Sequence, residues 1–140
     1  MLEKSDILFA RSGATVGKTF LFEENYPACF AGYLIKAKCD TNSLLPKYLY
    51  YFTCTNQYDN WKNSIFVQAT IQNIGADKYS TMPILVPPTI EEQEKIVTQI
   101  EIGIKGVDLS ISELQSQIED LKSYKSSLIT EAVTGKIDLQ

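Results

Sequence analysis

A chain of 140 residues, 44% hydrophobic and 11% aromatic, is too apolar to be disordered and suffices for one modest domain with a single long appendage. No apolar run approaches the roughly 18 residues of a membrane span, and a charged, strand-like segment rather than a secretory signal follows Met1, so the cytoplasm is the expected compartment. There is no histidine, and Cys29, Cys39 and Cys54 fit no metal-ligand spacing; His-based triads, His acid–base chemistry and nearly all zinc sites are excluded, and the thiols read as reduced.

The net charge of −4 is unevenly divided. Residues 1–88 hold eight Lys or Arg against seven Asp or Glu, net +1, and residues 89–140 hold five against ten, net −5. The acid belongs to the C-terminal part, so the N-terminal part is free to present a basic face.

In chain order, Leu2 to Lys4 leads into Asp6-Ile7-Leu8-Phe9-Ala10-Arg11, a short apolar run of strand type. Ser12-Gly13-Ala14-Thr15-Val16-Gly17-Lys18-Thr19 invites comparison with a phosphate-binding loop. That loop needs four residues between its glycines, where this one has three, and it opens a helix, whereas Thr19-Phe20-Leu21-Phe22 is β-type. A turn between two strands is the expectation. Turn-forming Glu23 to Pro27 precedes a further strand candidate, Ala28 to Ala37, in which Gly32 suggests a bulge.

Asp40-Thr41-Asn42-Ser43 reads as a loop, and Pro46 stands where it can open a helix. Lys47 to about Asn60 then sets Tyr48, Tyr51, Phe52, Thr55 and Tyr58 on largely one helical face, which reads as core, a base-stacking platform being the alternative. Trp61 to Gln72 has no clear period and reads as a loop. Its amides, with Asn73, either bond adenine N6 and N7 or hold Ile71-Gln72-Asn73-Ile74 against neighbouring backbone. Tyr79 to Val86 is expected to supply a last strand, stopped by Pro87-Pro88. The fold class is α+β: a small mixed domain of short strands and one or two helices, followed by a long coiled-coil helix.

That helix is signalled at its start by Thr89 with Glu92 three residues on, a capping box, and at its end by Gly135, where a left-handed closing residue belongs. Between them Val97, Ile100, Ile104, Val107, Ile111, Leu114, Ile118, Leu121 and Leu128 recur at alternating gaps of three and four, broken only at Lys125. With Val97 at heptad position a, the β-branched a positions and mostly Leu d positions suit two helices. At about 1.5 Å per residue the helix would run about 65 to 70 Å, project from the domain and need a partner along its seam. Gly103 and Gly106 inside it predict a local bend or brief interruption, or close approach of the partner.

Several of these pieces recur together in one family. Asp6-Ile7-Leu8 with Gly13 and Val16-Gly17-Lys18, then Ile71-Gln72-Asn73-Ile74, then Pro83-Ile84-Leu85-Val86-Pro87-Pro88 with Glu92-Gln93, and a tail closing Ala132-Val133-Thr134-Gly135-Lys136, resemble the specificity subunit of type I restriction-modification systems. The resemblance covers nearly the whole chain. It implies that residues 1–88 are part of a target recognition domain, beginning in its middle, and residues 89–140 a spacer helix and C-terminal tail. It further implies binding to double-stranded DNA, partnership with modification (methyltransferase) and restriction subunits that do the catalysis, and self-association through antiparallel helices.

The residues themselves agree with a non-enzyme that needs no cofactor and holds no metal. An adenine methyltransferase requires a cofactor loop and an Asn- or Asp-Pro-Pro-aromatic tetrad for the flipped base, whereas Pro87-Pro88 stands between Val86 and Thr89. Glu91, Glu92 and Glu94 lie on the first turns of a helix, where they complement its dipole. Candidate DNA contacts are Arg11, Ser12, Lys18, Gln68, Thr70, Gln72 and Asn73; Arg11 is the only arginine, at a strand end where its fork can reach phosphate or guanine. A coiled-coil assembly module without DNA contact is the competing class.

Overall fold

The computed structural model describes residues 1–66 and 72–136. The chain divides into two units, Met1–Thr98 and Gln99–Gln140.

The first unit is built on a three-stranded antiparallel sheet, order β2-β1-β3, of β1 (Ile7–Ala10), β2 (Thr19–Leu21) and β3 (Leu34–Ala37). All four residues of β1 are buried, because each face of this central strand is covered. Ile7 and Phe9 enter the main core with Leu49, Tyr58 and Met82, while Leu8 packs on the opposite face with Leu2 and Phe22. The register sets Leu8 opposite Phe20 on one side and Lys36 on the other. Buried Asp6, just before β1, accepts from the Glu3 N–H at 2.7 Å and pairs with Lys36 at 3.1 Å, which fastens the incoming chain to β3.

Three short helices cover the main-core face: α1 (Pro46–Phe52), α2 (Asn56–Phe66) and α3 (Ala76–Ser80). Pro46 opens α1 as expected, since the first turn has no use for its missing N–H. The single helix expected from Lys47 to Asn60 is instead two. Thr53 and Thr55 turn their hydroxyls back onto the Tyr50 and Phe52 carbonyls, and Thr55 Oγ1 accepts from the Tyr58 N–H, ending one helix and starting the next. The loop expected from Trp61 is helical through Phe66. The aromatic face is core only in part: Tyr58 is buried and Phe52, with Tyr50 and Trp61, packs against the core, whereas Tyr48 and Tyr51 lie outside it, Tyr48 donating its hydroxyl to the Leu85 carbonyl at 2.8 Å.

Two other expectations are corrected. Gly32 lies in a turn closed by the Leu34 N–H on the Ala31 carbonyl, and β3 begins only at Leu34, so Gly32 marks no bulge. Tyr79 to Val86 forms no strand. Its apolar alternation survives as alternating burial, Met82 and Ile84 inward and Leu85 outward, but Tyr79 is helical and Pro83 has no N–H for a ladder.

The last helix, α4 (Ile90–Val133), is a single run of 44 residues that begins in the first unit. Thr89 caps it, its Oγ1 accepting from the Glu92 N–H at 3.2 Å. Fully buried Gln93 uses both ends of its amide: Oε1 accepts from the Leu45 N–H at 2.9 Å and Nε2 donates to the Ser43 carbonyl at 3.0 Å. The first turn of α4 thereby supplies a partner to the N-cap residue of α1, which has no side-chain cap of its own. Val97, first in the heptad pattern, is also buried in this unit.

The second unit is the remainder of α4. Ile104, Val107, Ile111, Leu114, Ile118, Leu121 and Leu128 are all exposed, from 44% for Ile104 to 66% for Leu121. The helix runs uninterrupted through Gly103 and Gly106, at each of which a Cβ would meet nothing within 4 Å; no break is forced because nothing crowds the backbone there. It closes as anticipated at Gly135, φ +69°, in a Schellman motif: Gly135 N–H to the Ala132 carbonyl at 3.3 Å and Lys136 N–H to the Glu131 carbonyl at 2.8 Å.

Candidate nucleic-acid interface

The β1–β2 connection is the turn of a hairpin, so the glycines of Ser12 to Thr19 serve chain reversal. Val16 N–H bonds the Gly13 carbonyl at 3.1 Å and Lys18 N–H the Thr15 carbonyl at 2.9 Å. Gly17 occupies the third position of the second turn with φ +78°, a place that favours glycine. The throat is closed by Ala10 N–H to the Lys18 carbonyl, 2.9 Å, and Gly17 N–H to the Ala10 carbonyl, 2.8 Å. Lys18 thus stands opposite Ala10 at the open end of the sheet, and Arg11 is the next residue of the same hairpin.

A third segment joins them. Ser12 and Asn73 form an isolated antiparallel bridge, and Ile74 N–H donates to the Arg11 carbonyl at 2.9 Å, with Ile74 itself fully buried as the anchor. Arg11 N–H in turn donates to the Tyr33 carbonyl at 3.0 Å, bringing the exposed Tyr33 to the same end of the sheet. Of the sequence candidates, Arg11, Ser12, Lys18, Gln72 and Asn73 are thus gathered around one hairpin, all exposed except half-buried Ser12. Gln68 and Thr70 lie outside the described residues. Among the described residues, no carboxylate pairs with Arg11 or Lys18, so both cations face solvent uncommitted.

Lys62 and the aromatic layer beneath the hairpin escaped the sequence reading. The Lys62 stem crosses Gly17 so closely that a Cβ there would collide with Lys62 Cδ, while its ammonium pairs with Asp59 at 2.6 Å and lies 5.5 Å from the Tyr58 ring. Extending the helix pattern past Asn60 would have revealed it, because Tyr58 and Lys62 stand one turn apart. Tyr58 donates its hydroxyl to the Gly17 carbonyl at 2.7 Å and Tyr79 to the Ala10 carbonyl at 3.2 Å. Burial pushes both phenols above their ordinary range, and for Tyr58 the neighbouring Tyr79 hydroxyl adds to the rise. Both act as hydrogen-bond donors, with no acid–base role at neutral pH.

The arrangement is that of a positively charged turn held on a rigid support. It offers an arginine fork, an ammonium, a hydroxyl and side-chain amides to phosphate oxygens and base edges. A metal would need clustered ligands, and no cluster of three or more candidate metal ligands occurs among the described residues. Likewise, no helix among them is long and apolar enough to cross a membrane.

Comparison with curated proteins gave no match. The family model described as the type I restriction modification DNA specificity domain matches residues 1–120, which takes in the whole first unit and the first part of the second. With the hairpin, the Pro-Pro stop and the long helix as far as Asp120 inside that match, the chain belongs to the type I restriction modification DNA specificity domain family.

Proposed function

We propose that the chain is a non-catalytic adaptor that brings DNA specificity to the methyltransferase and restriction subunits of a type I restriction-modification system, working in the cytoplasm. Residues 1–88 act as the recognition part and residues 89–140 as the spacer, which associates with a second, antiparallel helix through Ile100, Ile104, Val107, Ile111, Leu114, Ile118, Leu121 and Leu128. The observation that carries the reading is the gathering of Arg11, Lys18 and, through the Ser12 bridge, Asn73 around one hairpin, with the two cations free of carboxylates among the described residues.

Binding of the full chain to duplex DNA, followed by fluorescence anisotropy over a series of salt concentrations, tests it. Each phosphate contact adds about −0.9 to the slope of log K against log salt, so removing Lys18 and Arg11 together should weaken binding and flatten that slope by about 1 to 2. Unchanged affinity in the double variant Arg11→Ala/Lys18→Ala would remove this face from consideration and leave the coiled-coil assembly module as the better account. Assays with S-adenosylmethionine, ATP and magnesium should be blank; methyl transfer to DNA without an added modification subunit would overturn the adaptor role.

A further inference from the structure

We infer that Tyr58 is a positioning residue for the hairpin, holding the backbone from which the two cations extend; this rests on the reading of the hairpin as the DNA contact. The geometry is specific. Each cation directly follows a residue whose carbonyl is held from below by a tyrosine: Lys18 follows Gly17, bonded by Tyr58 at 2.7 Å, and Arg11 follows Ala10, bonded by Tyr79 at 3.2 Å. The two holds are linked, because the Ala10 carbonyl also accepts the Gly17 N–H.

Packing alone does not call for these hydroxyls. The rings form a continuous row, Phe9 to Tyr79 at 4.5 Å, Tyr79 to Trp61 at 5.6 Å and Trp61 to Tyr58 at 5.6 Å, which phenylalanines would fill with the same ring area. A buried phenol without a partner is costly, so the hydroxyl at Tyr58, which is 1% exposed, persists together with its acceptor. Gly17 is also, with Gly13, one of the two hairpin residues with the widest backbone freedom. Tying its carbonyl removes that freedom before DNA arrives, so the ordering cost is not drawn from binding energy.

The test is Tyr58→Phe in the full chain, read by amide hydrogen exchange and by DNA affinity over a salt series. Exchange at Gly17 and Lys18 should quicken while the β1 amides stay protected. Affinity should fall about three- to tenfold, matching a drop of the ordered fraction to between about a third and a tenth, with the salt slope unchanged because no contact is lost. A second variant, Tyr79→Phe, should quicken exchange at Gly17 through the shared Ala10 carbonyl. Uniformly faster exchange across the sheet with unchanged affinity of the folded chain would show a merely structural role and overturn the proposal. If Arg11→Ala/Lys18→Ala weakens binding while Tyr58→Phe alters neither affinity nor Gly17 exchange, the positioning role alone fails. If the double variant binds unchanged, the proposal falls together with the reading beneath it.

Discussion

Gln93→Met is the sharpest perturbation of the junction between the sheet domain and α4. Methionine keeps the length and nearly the volume of the side chain, so the packing around this 1% exposed position is retained and only the amide is lost. Two hydrogen bonds disappear, to the Leu45 N–H at 2.9 Å and the Ser43 carbonyl at 3.0 Å. Each is worth about 1 kcal/mol net, and stranding a buried partner costs about 1 to 3 kcal/mol; because Leu45 is only partly buried, about 2 to 4 kcal/mol in all is expected. For a domain of this size about 1 kcal/mol moves Tm by 4 to 8 °C, so a fall of about 8 to 30 °C should follow.

Trp61 is the only tryptophan and packs against the main core, so its fluorescence reports the first unit specifically. Melts belong at one protein concentration, since self-association makes Tm concentration-dependent. Glu91→Ala, on the exposed side of the same turn, is the control; it loses only an exposed ion pair with Lys95 and a charge at the helix start, and should change stability by no more than about 1 kcal/mol. A fall of less than about 3 °C in Gln93→Met would refute the reasoning: it would mean that water satisfies both stranded groups and that the helix root is not held by this amide.

Ile111→Asp or Ile118→Asp should dissociate the self-associated form in sedimentation, and a monomer at tens of micromolar in the unmutated chain would sink the pairing hypothesis. Gly103→Ala and Gly106→Ala should each stabilise α4 by about 0.5 to 1 kcal/mol, seen as higher helicity and Tm; a loss instead would reveal a partner backbone packed against these glycines. Gly17→Ala should cost more than Gly13→Ala, though both carry positive φ, because only at Gly17 does a Cβ collide with Lys62. Each should lose about 1 to 2 kcal/mol from backbone strain, and equal denaturation midpoints for the two variants would contradict the contact.

How far the fold could be read in advance followed the range of the interactions involved. The ends of α4 were legible because capping is local: Thr89 and Glu92 are three residues apart, and Gly135 and Lys136 close on carbonyls three and five residues back respectively. The hairpin was legible for the same reason, since its glycine spacing and β-type flanks lie within one stretch. The break at Thr53–Thr55 was hidden because a threonine hydroxyl that turns back on the preceding carbonyl looks, in sequence, like any residue on an aromatic helix face. Tyr79 to Val86 misled because burial with period two does not require a ladder, and the weight of Pro83, which has no N–H to give one, was missed.

The candidate interface was legible only in part because it is assembled from distant pieces. Arg11 and Lys18 could be named from the hairpin alone, and Asn73 from its amide, but their meeting depends on the Ser12–Asn73 bridge and the Ile74 anchor, which no local pattern announces. The supports are more distant still: Tyr58 reaches back 41 residues to Gly17, and Tyr79 reaches back 69 to Ala10. In sequence both were simply apolar aromatics, and the property that matters, a hydroxyl aimed at a turn carbonyl, exists only once the sheet and helices have packed. Charge misled in the same way. The net −4 points away from nucleic acid, yet ten of the acids lie in residues 89–140, and the hairpin cations face solvent without carboxylate partners among the described residues. Screening has a range of only about 8 Å at physiological salt, so a phosphate brought to the hairpin would respond to the charges within that range, and the sum over the chain is no guide to it.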